Sequence, residues 1–235
     1  MKQLALPFAE PQNYSALDFC AAPSNAKARE WLAQPEVWSN GRLVLWGEAG
    51  CGKTHLLHIW AANQRAALVN GPELHGLVRP QGPVAVDDAD IVEDPRALLH
   101  LLNAAAELGI PVLLSARTPP ASWAIALPDL ASRLRATTSV ALSVPEDDLL
   151  RPLLARLLAD RQLRVPEKLQ DFLLARLPRT GGALREAAAR LDRLSLAEGR
   201  TVSRAMAAQV ADELGEGDAE TQTKRFEDPP GLFAA

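Results

Sequence analysis

Residues 47–54 read Gly47-Glu48-Ala49-Gly50-Cys51-Gly52-Lys53-Thr54: a glycine, four intervening residues, then Gly-Lys-Thr. Each residue type at this spacing has a use with a polyphosphate. The glycines let backbone N–H groups close around phosphate oxygens, Lys53 reaches the β- and γ-phosphates, and Thr54 offers a hydroxyl to Mg²⁺. An apolar run, "RLVLW" (42–46), precedes the loop, and "THLLHIWAANQ" (54–64), apolar at helical spacing, follows it. That strand-then-helix context separates a phosphate loop from a chance Gly-rich turn, and the helix start turns its positive end toward the same anion. Some 30 residues on, "VAVDD" (84–88) ends an apolar run in two acids. Next to a bound triphosphate, Asp87 would hold the metal and Asp88 would stand near an attacking water. Without the loop upstream, a strand that ends in a polar turn is an equally good reading of the same acids.

Two sets of arginines could also meet phosphate charge. Arg133 and Arg135 lie in "LPDLASRLRATTSVAL" (127–142), just before a strand-like run. Most arginines are solvated; one in this place could instead project to a neighbouring molecule and stabilise phosphate charge in trans. Periodicity does not separate the two. In "GGALREAAARLDRL" (181–194), Arg185 near a helix start could fold back onto a nucleotide, but spacing alone favours a solvated face for Arg185, Arg190 and Arg193.

The elements around these residues fall into two halves. A helix is expected over "SNAKAREWLA" (24–33), from its Ser/Asn start and the helix formers behind it. The runs "RLVLW", "AALVN" (66–70), "PVAVDD" (83–88), "IPVLLSA" (110–116) and "SVALSV" (139–144) read as five strands, with helices at 54–64 and 95–109 between them. Strands alternating with helices predict a parallel sheet, and strands apolar throughout predict cover on both faces. After Pro145 the strands cease, and four helical stretches follow: "EDDLLRPLLARLLADRQ", "PEKLQDFLLARLP", "GGALREAAARLDRLSLAEG" and "SRAMAAQVADELG". The expected organisation is an extended arm at 1–13, an α/β domain at 14–145, an all-α unit at 146–214, and an acidic, disordered tail at 215–235.

Composition narrows the class further. The net charge is −4, and the tail carries five acids against two bases, so nothing calls for non-specific attraction to nucleic acid. Cys20 and Cys51 are the only cysteines; no Cys/His cluster has zinc-ligand spacing. No run approaches the length of a membrane span, and no signal peptide opens the chain. These features predict a cytoplasmic protein with reduced thiols and no membrane partner.

A phosphate-loop domain followed by a small helical lid resembles the AAA+ ATPases. More narrowly, "GEAGCGKTHLLH", "VAVDDAD", "LLSARTPP", "LPDLASRL" and "REAAARLDRL", taken in order, are similar to successive motifs of the bacterial replication initiators of the DnaA family, and "YSALDF" and "PSNAKA" are similar to their entry motif. The likeness spans about residues 14–213. It implies ATP or ADP with Mg²⁺ at Gly47 to Thr54, Asp87 and Asp88. It further implies Arg133 as an arginine finger acting in trans and Arg185 as a lid arginine that senses nucleotide. Three departures stand out. Residues 71–82 leave no room for the initiators' single-strand-binding helical insertion. The chain also stops after the lid, with an acidic tail, where initiators continue into a duplex-DNA domain. Finally, Arg117 in "SARTPP" stands where the initiators carry an acid in "SSDRPP", which implies weak hydrolysis by the chain itself.

Gln3-Leu4-Ala5-Leu6-Pro7-Phe8 resembles the short peptide by which bacterial proteins dock on the DNA polymerase sliding clamp (its beta subunit). Gln3 can hydrogen-bond at one subsite while Leu6 and Phe8 bury side chains, each contributing about 1.5–3 kcal/mol before ordering costs. Alone, the hexamer would more simply tuck onto its own domain. In front of an initiator-like module, the implied partners become the clamp, DNA through the clamp, DnaA, and a second copy of the chain. The resemblance as a whole is to regulators of DnaA that lack its DNA-binding parts; a helicase loader or a non-catalytic clamp adaptor are the alternatives.

Overall fold

The computed structural model describes residue 14 and residues 19–223, with side chains as far as Gly215. The candidate clamp-binding residues Gln3, Leu4, Leu6, Pro7 and Phe8 lie outside the described residues. The described chain divides at Pro145–Glu146 into two compact units.

The first unit is built on five short strands: β1 (Arg42–Trp46), β2 (Ala67–Asn70), β3 (Val84–Asp87), β4 (Val112–Ala116) and β5 (Thr138–Ala141). They form one sheet in the order β2-β3-β4-β1-β5, and every pairing is parallel. β1 is central, and its residues alternate between two cores. Leu43 and Leu45 join Leu56, Leu57, Trp60 and Trp38 on one face; Val44 joins Leu98, Leu101, Leu102 and Leu134 on the other. The helices that supply these faces are α1 (Pro23–Leu32), α2 (Lys53–Gln64), α3 (Pro95–Leu108) and α4 (Pro128–Arg135). Burial on both sides explains why β1, β3 and β4 are apolar throughout; the edge strands β2 and β5 depart from that expectation and are largely exposed.

Local chemistry sets the helix ends. Asp94 caps α3, its side chain accepting from the Arg96 and Ala97 N–H groups, with Pro95 in the first turn and Gly109 at φ 65° closing the far end. The start of α1 differs from expectation. The helix begins at Pro23, not at the Ser/Asn pair, and Asn25 works from the third helical position. Its carboxamide accepts from the Ala22 N–H at 3.1 Å and donates to the Cys20 carbonyl at 2.9 Å. Proline at the first position is preset for a helix, so the cap moves one residue upstream. Between β2 and β3 the chain makes only a short 3₁₀ turn, Gly71–Glu73, and no α-helix.

The second unit is all helical: α5 (Asp147–Asp160), α6 (Glu167–Leu174), α7 (Gly181–Glu198) and α8 (Arg204–Thr223). Buried Leu150, Leu154, Leu173, Leu184, Leu191, Met206 and Val210 fill its core. α8 continues to Thr223, past the expected boundary at 214, because alanines, glutamates and glutamines sustain the helix across two glycines. Among the described residues no helix is long and apolar enough to cross a membrane.

Candidate functional site

The loop 47–52 leaves the C-terminal end of β1 and enters α2. Gly47 is pressed against the backbone of the strand-5 exit: a Cβ there would lie 2.5 Å from the Leu142 carbonyl oxygen. Gly50 and Gly52 take positive φ, 79° and 102°, where a side chain would strain the backbone. Glu48, Ala49 and Gly50 are exposed, while Cys51 and Lys53 are buried. Lys53 is 7% exposed; its Nζ donates to the Gly47 carbonyl at 2.7 Å and the Glu48 carbonyl at 2.9 Å, with Cys51 Sγ at 3.8 Å. The loop therefore wraps its own ammonium and holds it at the mouth of α2. Thr54, half-buried, follows in the first turn. Burial pushes the Cys51 thiol up, against the pull of Lys53, so this cysteine is a poor thiolate.

The acids come from the end of β3. The Asp87 carboxylate accepts a hydrogen bond from the Ser115 hydroxyl of the neighbouring β4, and the same Ser115 Oγ accepts from the Asp88 N–H at 3.0 Å. One fully buried serine thus fixes both residues. Asp88 adopts a left-handed conformation, φ 51° and ψ 48°. Its carboxyl is pushed above the usual carboxylate range by burial first and by Asp87 second, against the pull of Arg117 and Lys53. Asp90 accepts from the Arg117 N–H at 2.8 Å, which ties the turn to the exit of β4.

Among the described residues no three His, Cys, Asp or Glu side chains gather into a self-sufficient metal site. One hydroxyl and one carboxylate beside a phosphate loop suit Mg²⁺, which keeps waters and shares phosphate oxygens. In front of α2, Tyr14 stacks on His58 with centroids 4.1 Å apart, and Phe19 meets His55 edge-on at 5.2 Å.

The arginines divide differently. Arg133, on the last turn of α4, is exposed. In the second unit, Arg190 pairs with Glu186 and Glu213, both at 2.8 Å, and Arg193 pairs with Glu186 at 3.3 Å. Arg185 has no such ion pair among the described residues. It is half-buried at the start of the second turn of α7, its Nη2 lying 3.9 Å from where a Cβ on Gly181 would stand. A solvated face describes Arg193 but not Arg185. Sequence reasoning missed Ser115 and Gly71. A lone hydroxyl inside the aliphatic run "VLLSA" was the available signal for Ser115.

No family model matches the chain. Solved structures do. Domain III of the replication initiator DnaA from Thermotoga maritima superposes with a TM-score of 0.73 at 17% identity, over 87% of this chain and 99% of that one. The fold is that of an AAA+ P-loop domain with a helical C-terminal region. AMPPCP-bound DnaA from Aquifex aeolicus matches at 0.66 and 17% identity, over 91% of this chain and 72% of that one. The RuvB Holliday junction branch migration motor of Thermotoga maritima matches at 0.66 and 18%, over 89% and 79%.

Proposed function

We propose that the chain is an adenine-nucleotide-binding AAA+ regulator of replication initiation, of the kind represented by Hda, which stimulates hydrolysis of the ATP held by DnaA. The observation that carries this reading is the position of Arg133. The phosphate loop starts beyond the C-terminal end of β1, whereas Arg133 stands one helical turn before the N-terminal end of β5. At about 3.3 Å per residue, the Cα atoms of Arg42 and Trp46 are roughly 13 Å apart, and the loop begins further on. That places Arg133 about a strand's length from its own loop, and its exposed position supports a role on the phosphates of another molecule.

In this reading Gly47 to Thr54 hold ADP or ATP, with Thr54 and Asp87 as Mg²⁺ ligands. Asp88 is the base, its raised proton affinity suited to taking a proton from water. Arg185 is the lid arginine that senses nucleotide. The metal, when bound, neutralises the phosphate oxygens; the chain's own groups orient and exclude water. With Arg117 beside Asp88 the chain's own hydrolysis is weak, and ADP is the resting nucleotide. The peptide Gln3 to Phe8 recruits the chain to the clamp loaded on DNA. A second reading, a DNA-stimulated motor or loader, draws on the comparable likeness to RuvB.

The test measures ATP turnover by DnaA in the presence of clamp on DNA. Wild type should raise it by a factor on the order of 10³, the low end of what an arginine finger supplies. Arg133→Ala, and a version lacking residues 1–8, should not. If turnover does not rise and the chain alone hydrolyses ATP quickly with DNA, the motor reading replaces this one.

A further inference from the structure

A buried positive charge lies at the N-terminal end of the sheet, away from the phosphate loop. Arg42 opens β1 and is 4% exposed. Its Nη2 donates to the Leu102 carbonyl of α3 at 3.3 Å, and its Nε has no hydrogen-bond partner. Among the described residues no carboxylate pairs with it. The strand register brings Arg133 to the same end. β1 and β5 pair Leu43 with Thr138, so Arg42 and Thr137 flank one another, and the Thr137 hydroxyl donates to the Arg133 carbonyl at 2.9 Å. Burial first, and the Arg133 charge second, hold the Arg42 guanidinium below its usual range. One cation is therefore buried and another, close to it, stands in solvent.

Stability does not explain Arg42. A buried guanidinium without a counter-ion opposes folding, and an apolar side chain of similar volume in its place is commonly neutral or stabilising. Its charge does act outward. A charge with little solvent around it is weakly screened, and Arg133 is the charged neighbour it acts on.

We propose that Arg42 is a positioning residue for Arg133: its buried, unpaired charge holds the Arg133 side chain away from the sheet and strengthens the field with which Arg133 receives a phosphate group from a second protein molecule. This rests on the trans-acting role of Arg133 proposed above. The anion is a polyphosphate, and Arg42 does not touch it.

Inorganic tripolyphosphate tests the site without the partner. It is titrated by calorimetry into the full chain saturated with Mg-ADP, at low and high salt. Wild type should bind it, and Arg133→Ala should not. Arg42→Met should bind about tenfold more weakly at low salt, with the gap narrowing at high salt, and should melt at or above the wild-type temperature. Arg42→Lys should keep most of the affinity. Equal binding by wild type and Arg42→Met overturns the proposal, as does no uptake by wild type. A lowered melting temperature in Arg42→Met that the lysine variant does not restore makes Arg42 structural, and overturns it too. If DnaA turnover fails to rise with wild type while tripolyphosphate affinity still follows Arg42, the coupling of the two arginines stands and the action on DnaA is lost.

Discussion

Gly71 has no room for a side chain. A Cβ built there lies 2.3 Å from the Asp88 carbonyl oxygen and 3.0 Å from that of Asp87, and both obstacles are backbone. The turn after β2 thus rests directly on the turn that presents the two acids. Gly71→Ala must push that turn aside, and overpacking of this kind costs about 1–3 kcal/mol. Urea unfolding should show the loss, together with weaker Mg²⁺-dependent nucleotide binding. Asp88 makes the opposite prediction. Its folded pKa is raised by burial and by Asp87, so above the unfolded value of about 3.9 the native state binds more protons than the unfolded chain, and stability falls as pH rises through that window. Asp88→Asn removes the burden. Its melting temperature should exceed wild type at pH 7, and the difference should vanish below about pH 4. An unchanged melting temperature at pH 7 would mean that solvent screens the carboxylate.

At the scale of elements, the acids are held by a neighbouring strand rather than by their own. Ser115 sits in the middle of the sheet on β4, fully buried, and its one hydroxyl serves both the Asp87 carboxylate and the Asp88 N–H. Ser115→Ala leaves that part-buried N–H without its partner, at about 1 kcal/mol. It also frees Asp87 to rotate, so titrations should show ADP affinity falling in Mg²⁺ and unchanged in EDTA. Strands and helices of this site were legible because five aliphatic runs, the inner three buried on two faces, alternate with helical spacing. The phosphate loop was legible because its glycines, lysine and threonine are fixed by local backbone geometry. What joins the strands was not. The β3–β4 contact that puts Ser115 beside Asp87 depends on register across 28 residues, and the Gly71 contact depends on how two turns stack. Neither has a periodic signature. The end of α8 has another reason: two glycines and clustered acids resemble a tail in composition, and the helix runs on through them to Thr223.

At the scale of the molecule, the two units carry separate cores, and the phosphate loop belongs wholly to the first. A ligand that binds only folded protein stabilises the unit it binds by an amount set by its concentration over its Kd, about 2.7 kcal/mol at a hundredfold excess. Calorimetry of the full chain with Mg-ADP should therefore move the transition of the α/β unit upward. Lys53→Ala should abolish that shift, since the buried ammonium is the loop's fixed positive charge. Arg133→Ala should preserve it in full, because Arg133 is a strand's length from the loop and faces outward. A shift lost in Arg133→Ala would put that arginine in the chain's own nucleotide site and remove the geometric basis for its action in trans. A shift retained, with stimulation of the partner lost, is the combination that an arginine working on another molecule's phosphate requires.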